Sequence, residues 1–148
     1  MNEIADAIAP ASPHASSPLV VFLVRVARVL EERVDGSLGE IGLSAAKLAV
    51  LSHLVANDAP LPLGGLATRL SCVRSNVTQL IDRMEADGLV RRVDDPNDRR
   101  AVHAKLTDEG RERHREGVRR VAALEERLTE QLSDAERASL RALLSKLL

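Results

Sequence analysis

The sequence predicts a mainly α fold carrying one small β-hairpin, with further helices on both sides of it. Three observations predict this. Val77, Leu80, Ile81 and Met84 recur at helical spacing, so the segment around them forms one amphipathic helix. Gly88 follows as a C-terminal stop, because glycine tolerates positive φ. Beyond it, Leu89-Val90 and Ala101-Val102-His103-Ala104-Lys105-Leu106 read as two short strands around Asp94-Asp95-Pro96-Asn97-Asp98, which is turn chemistry. A helix followed by a hairpin with arginines at its tip, Arg99 and Arg100, describes a winged helix.

Residues 1–17 are rich in Ala, Ser and Pro without a clean period and are expected to form a flexible arm. Ser17-Pro18 is a helix start, with Ser as cap and Pro in the first helical position. The helix it opens is expected to run to about Asp35. Its Leu19–Val24 run reads locally as strand, but the pattern through Val26, Ala27, Val29, Leu30 and Val34 favours helix. Apolar residues nearly encircle its first half, so burial on more than one side is expected.

Gly36 to Gly42 reads as a connection. Ser44 then caps a second helix in which Leu48, Leu51, Leu54 and Val55 keep helical spacing, and Asp58-Ala59-Pro60 ends it. Leu61 to Leu63 reads as a short strand pairing with the wing. Gly64 to Leu70 forms a short helix with Leu66 and Leu70 inward and Ala67 small enough for close approach. Each of Gly64 and Gly65 costs up to about 1 kcal/mol relative to Ala, so a ragged first turn is expected.

After the hairpin, Thr107 caps a long helix to about Gln131, interrupted in propensity by Gly110 and Gly117. Val121, Leu124, Leu128 and Leu132 form its stripe. Ser133-Asp134-Ala135-Glu136 matches a capping box, and the last helix is expected to bury Leu140, Leu143, Leu144 and Leu147. The chain thus divides into an arm (1–17), a dimerisation helix and connection (18–42), a winged helix (43–107) and C-terminal dimerisation helices (108–148). A greasy first helix and a four-leucine last helix exceed what one small winged domain can cover. Either they cover one another, or a second subunit does.

With 148 residues the chain favours one domain. Hydrophobic residues make up 45% and aromatics 1%, Phe22 alone, so aliphatic side chains must build the core. The longest apolar run is too short to span a bilayer, and the N-terminus lacks the pattern of a secretory signal. One cysteine excludes an internal disulfide, and a cytoplasmic location is expected. The net charge of −1 argues against a nucleic-acid partner. From Leu66 to Lys105, however, eight basic residues stand against six acidic ones, a local net of +2.

Opposite the apolar stripe, the central helix presents Ser75, Thr78, Gln79 and Arg83, with Asn76 at the edge. Such donors and acceptors suit base edges in a major groove. The competing reading is a solvated face. Asp82 on the same side repels phosphate, so the second half of the helix is expected to leave the groove.

Arg74-Ser75-Asn76-Val77-Thr78, Asp82-Arg83 and Gly88-Leu89-Val90 resemble the recognition helix of MarR-type regulators. Asp95-Pro96, Asp98-Arg99-Arg100 and Leu106-Thr107-Asp108-Glu109-Gly110 resemble their wing and its exit. The similarity extends loosely from about Leu19 to Leu148. It implies a homodimer that binds double-stranded DNA at a palindrome, as a repressor, through Arg74, Ser75, Asn76, Thr78, Gln79 and Arg83. It further implies that Arg100 enters the minor groove with Asp98 holding its guanidinium, while Arg99 reads equally as a phosphate contact or as a solvated side chain. In that family small aromatic acids or phenols bind between the dimer helices and the winged domain, a seat that here falls on Phe22, Arg25, Val26 and His53. Such a ligand would shift dimers towards a helix separation that is wrong for DNA. Val73 stands where the family often has Ser, and Gly64-Gly65 departs from the usual helix formers.

Other inputs and outputs stay open on the same scaffold. Cys72 is a candidate redox switch, but it occupies an apolar position at the start of the recognition helix. His53, His103, His114 and Cys72 lack metal-ligand spacing within one element, so neither metal nor cofactor is expected. No paired catalytic carboxylates, nucleophile motif or phosphate loop appears, and the chain does not read as an enzyme. A winged module that binds a protein partner is the remaining alternative.

Overall fold

The computed structural model describes residues 18–70, 74–95 and 101–147. Helix α1 (Leu19–Gly39) starts after Pro18; its expected cap, Ser17, lies outside the described residues. The helix runs four residues past the expected end at Asp35. Burial of Leu38, fully removed from solvent, offsets the poor propensity of Gly36 and Gly39. The stop comes instead at Gly42, with φ +71. There Leu43 N donates to Leu38 O at 3.0 Å and Gly42 N to Gly39 O at 3.0 Å, a Schellman ending whose apolar pair is Leu38 and Leu43.

Helix α2 (Ala45–Asn57) begins where Ser44 Oγ accepts from Lys47 N at 3.3 Å. It ends at Asp58, a non-glycine residue at φ +47. Strand β1 (Leu61–Pro62) leads directly into α3 (Leu63–Arg69). No ragged turn separates them: Gly64 and Gly65 are helical, and a Cβ at Gly65 would meet the Pro62 ring at 3.3 Å. Close packing therefore accounts for a glycine that propensity alone marks as a fault. Leu66 and Ala67 face inward as expected, while Leu70 is half-buried at the C-cap.

Helix α4 (Arg74–Ala86) buries Val77, Ile81 and Met84 and leaves Leu80 at the edge of the core. Gly88, at φ +73, reverses the chain as the sequence predicts. Leu89 N donates to Met84 O at 2.9 Å and Gly88 N to Glu85 O at 3.0 Å. Strand β2 (Val90–Asp94) pairs antiparallel with β3 (Val102–Leu106), Val90 opposite Leu106 and Asp94 opposite Val102. Asp94 thus belongs to the strand rather than to the turn. The backbone closes one residue further on, where Asp95 N donates to Ala101 O at 3.1 Å. β1 adds to the free side of β3, with Leu61 opposite Ala104, giving the order β1-β3-β2.

Helix α5 (Asp108–Leu128) is capped by Thr107, whose Oγ1 accepts from Gly110 N at 2.9 Å. It stops three residues short of Gln131. Helix α6 (Asp134–Ser145) opens on the expected capping box between Ser133 and Glu136. The main core joins Leu38 and Leu43 to the inward faces of α2, α3, α4 and the sheet, with Ala104 at its centre. Within a single chain α6 buries nothing, and Leu140, Leu143, Leu144 and Leu147 are 41–63% exposed.

Candidate nucleic-acid interface

Locking Val77, Ile81 and Met84 into the core decides which side of α4 faces solvent. Ser75, Asn76, Gln79 and Arg83 are exposed on it, and Thr78 is half-buried. Asn76, Gln79 and Arg83 share one hollow of about 540 Å3, floored by Leu70, Val77 and Leu80 and walled by Ala45, Ala46 and Ala49 of α2. The sequence reading missed this hollow. Its signal was three small residues at i, i+1 and i+4 beside a polar helix. Arg74 opens α4 with its side chain outside the described residues, where Cys72, Asp98, Arg99 and Arg100 also lie.

Long-range bonds hold this helix at a fixed angle. Lys47 Nζ reaches Asp87 Oδ2 at 2.8 Å and Gly42 O at 2.9 Å, tying the start of α2 to the end of α4. Arg92 of β2 pairs with Asp82, and its backbone N donates to Glu85 Oε1 at 2.7 Å. Near the turn end of the hairpin, His103 Nε2 lies 3.3 Å from Asp95 Oδ2. The single hydroxyl proton of Thr107 is shared between the carbonyls of Gly88 and Leu89, which lie 2.7 and 2.9 Å from Oγ1, and so fixes where the wing meets α5.

The winged unit is joined equally firmly to the long helices. The carbonyl end of α1 carries partial negative charge, and α5 meets it with Arg113, which donates to Ile41 O, and Arg120, which donates to Ser37 O at 3.2 Å. Arg120 also pairs with Glu40 and Glu116, and these hydrogen bonds raise its already high pKa. Ser52 of α2 and His114 of α5 share a hydrogen bond at 3.1 Å. Burial, with the nearby charge of Arg111 second, pulls the His114 pKa below its ordinary 6.5.

Phe22, Arg25 and Val26 lie on α1, Phe22 exposed and the other two half-buried; His53 lies half-buried on α2. The hollow beside α4 is lined by none of them. Among the described residues no three His, Cys, Asp or Glu side chains stand close enough to hold a metal, and no helix is long and apolar enough to cross a membrane.

The MarR family model matches residues 43–102, from the start of α2 into β3. PecS of Dickeya dadantii, an HTH-type transcriptional regulator, is 30% identical over 133 residues, covering 87% of this chain and 80% of that protein. The chain belongs to the MarR family. This MarR-family chain is also 41% identical over 73 residues to YkoM of Bacillus subtilis, an HTH-type transcriptional regulator, covering 49% of the chain and 47% of YkoM. It spans less than two thirds of the length of the first curated relatives it matches. Among solved structures, a mutant MarR from E. coli complexed with operator DNA superposes with a TM-score of 0.79 at 30% identity, covering 88% of this chain and 94% of that one. These relatives are transcriptional regulators, and the fold is shared with the operator-bound MarR.

Proposed function

We propose that the chain is a DNA-binding transcriptional regulator, a repressor that grips a palindromic operator as a homodimer and releases it when a small ligand binds. The observation that carries this reading is the polar, solvent-facing side of α4, Ser75 to Arg83, braced against a hairpin. It is the surface expected of a helix that enters a major groove, and an operator-bound relative shares the fold.

Two exposed apolar faces support the dimer. Leu19, Val20 and Val24 of α1 are 63–70% exposed, and α6 adds its four leucines. Patches of this kind on a soluble chain mark an interaction surface. A symmetric pair covers both at once and sets two recognition helices about 34 Å apart, one turn of DNA.

For the ligand, the hollow beside α4 offers an apolar floor with Arg83 at its rim. An aromatic carboxylate seated there would keep Asn76 and Gln79 from the bases without altering helix separation. The seat at Phe22, Arg25, Val26 and His53, proposed from the family likeness, needs the second subunit to close over the exposed Phe22.

Salt titration of binding to duplex DNA tests the reading. Each phosphate contact releases counterions, so log K should fall with log salt by about 0.9 per contact. A flat response would assign the surface to a protein partner instead.

A further inference from the structure

Asp82 lies one turn beyond Thr78 and seven residues beyond Ser75, on the stripe that faces solvent. A lone carboxylate there would stand among the groups that approach DNA. Like charges at short range repel, and water screens them only partly where a duplex excludes it. This carboxylate is not alone. Gly88 turns the chain back so that β2 runs beside α4 and brings Arg92 alongside it.

The Arg92 guanidinium pairs with Asp82 and lies 3.6 Å from Glu85 Oε2, while its own backbone N–H takes the other Glu85 oxygen at 2.7 Å. One residue therefore engages both outward acids on the second half of the helix. Its side chain is 31% exposed, against 52% for Asp82, so the arginine lies beneath the carboxylate it neutralises.

We propose that Arg92 masks the Asp82 carboxylate on the DNA-facing stripe of α4, and so serves as a positioning residue for DNA reading without itself touching DNA. This rests on the DNA-binding reading above. It changes what the sequence alone suggests: Asp82 need not drive the second half of α4 out of the groove, because its charge is already matched from below. Arg83, next in sequence and exposed, is left to face phosphate with the neighbouring Asp82 and Asp87 already paired to Arg92 and Lys47. Of the eight basic residues between Leu66 and Lys105, Arg92 is then committed to its own chain rather than to the duplex.

Four proteins test this: wild type, Asp82→Asn, Arg92→Gln and the double variant. Each is titrated with a duplex that wild type has selected from a random pool, and each is melted without DNA. Masking predicts that Arg92→Gln binds about tenfold more weakly, because it bares the charge on Asp82. The double variant returns to within about threefold of wild type, with the wild-type salt slope, because the charge is gone. Asp82→Asn alone binds as tightly as wild type or more so.

A double variant as weak as Arg92→Gln, with a salt slope shallower by about 0.9, would make Arg92 a phosphate contact and overturn the proposal. Equal weakness with a lowered melting temperature in both would reduce Arg92 to a structural brace, which also overturns it. Unchanged binding by Arg92→Gln does the same. If wild type selects no duplex at all, the DNA-binding reading itself fails, and that outcome is distinct from the other three.

Discussion

A Cβ placed on Gly110 would lie 2.0 Å from the carbonyl oxygen of Leu89. That oxygen accepts from Thr107 N at 3.3 Å and shares the Thr107 hydroxyl proton with Gly88 O, so moving it away would break those bonds. The first turn of α5 is thus pressed against the exit of α4, and only glycine fits between them. Gly110→Ala should cost about 1–3 kcal/mol by urea unfolding, the range for overpacking a well-filled site. A change below 0.5 kcal/mol, roughly the surface-substitution scale, would mean that the two elements separate easily.

The α5–α6 corner makes a second prediction. Ser133 Oγ accepts from Glu136 N at 3.4 Å, and Glu136 Oε2 takes the backbone N–H of Ser133 at 2.8 Å. The Ser133 hydroxyl and backbone bonds hold the Glu136 carboxyl below its ordinary pKa. Ser133→Ala should cost about 1 kcal/mol, as loss of an N-cap does. A depressed carboxylate contributes stability above its unfolded pKa that disappears as pH falls through the folded value. Glu136→Gln should therefore flatten the acid limb of the unfolding curve, read by circular dichroism.

His114 gives a pH effect nearer neutrality. Its pKa is lowered in the folded state, so below 6.5 the unfolded chain takes up the proton first. Stability should fall as pH drops through 6.5 and level off once the folded state is protonated too. His114→Gln should remove that component of the slope while keeping a side chain able to bond Ser52. An unaltered slope in the variant would place the titration elsewhere.

The α6 leucines predict an assembly. Leu143→Asp with Leu144→Asp changes two side chains that are 61% and 41% exposed, so a single chain should tolerate them. Sedimentation should then show the dimer giving way to a folded monomer. A variant that sediments like wild type would place the interface elsewhere.

Much of this was legible beforehand because it is local. The caps at Ser44, Thr107 and Ser133, the stop at Gly88 and the stripe of Val77, Ile81 and Met84 each follow from residues within one or two turns. Glycines misled where tertiary packing overrode propensity. Gly36 and Gly39 sit inside α1, where Leu38 is buried, although they read as part of a connection. The parts of the site that went unread, Lys47 with Asp87 and the alanine wall beside α4, join residues more than 25 positions apart. No periodicity reports such pairs. The closer pair of Arg92 with Asp82 depends on the reversal at Gly88, and spacing alone does not reveal it.

Base reading has its own test in Gln79, exposed at the centre of the α4 stripe. Gln79→Ala should relax preference at one position per half-site by about 1–3 kcal/mol if its amide bonds an adenine edge. A uniform loss across all sequences would mark it as a phosphate contact.

The most direct measurement is selection of bound duplexes from a random-sequence pool at low salt, followed by sequencing. The account predicts enrichment of an inverted repeat whose half-sites are centred about 10 bp apart, one helical turn. Recovery of the unselected pool, or of a single unpaired half-site, would contradict it.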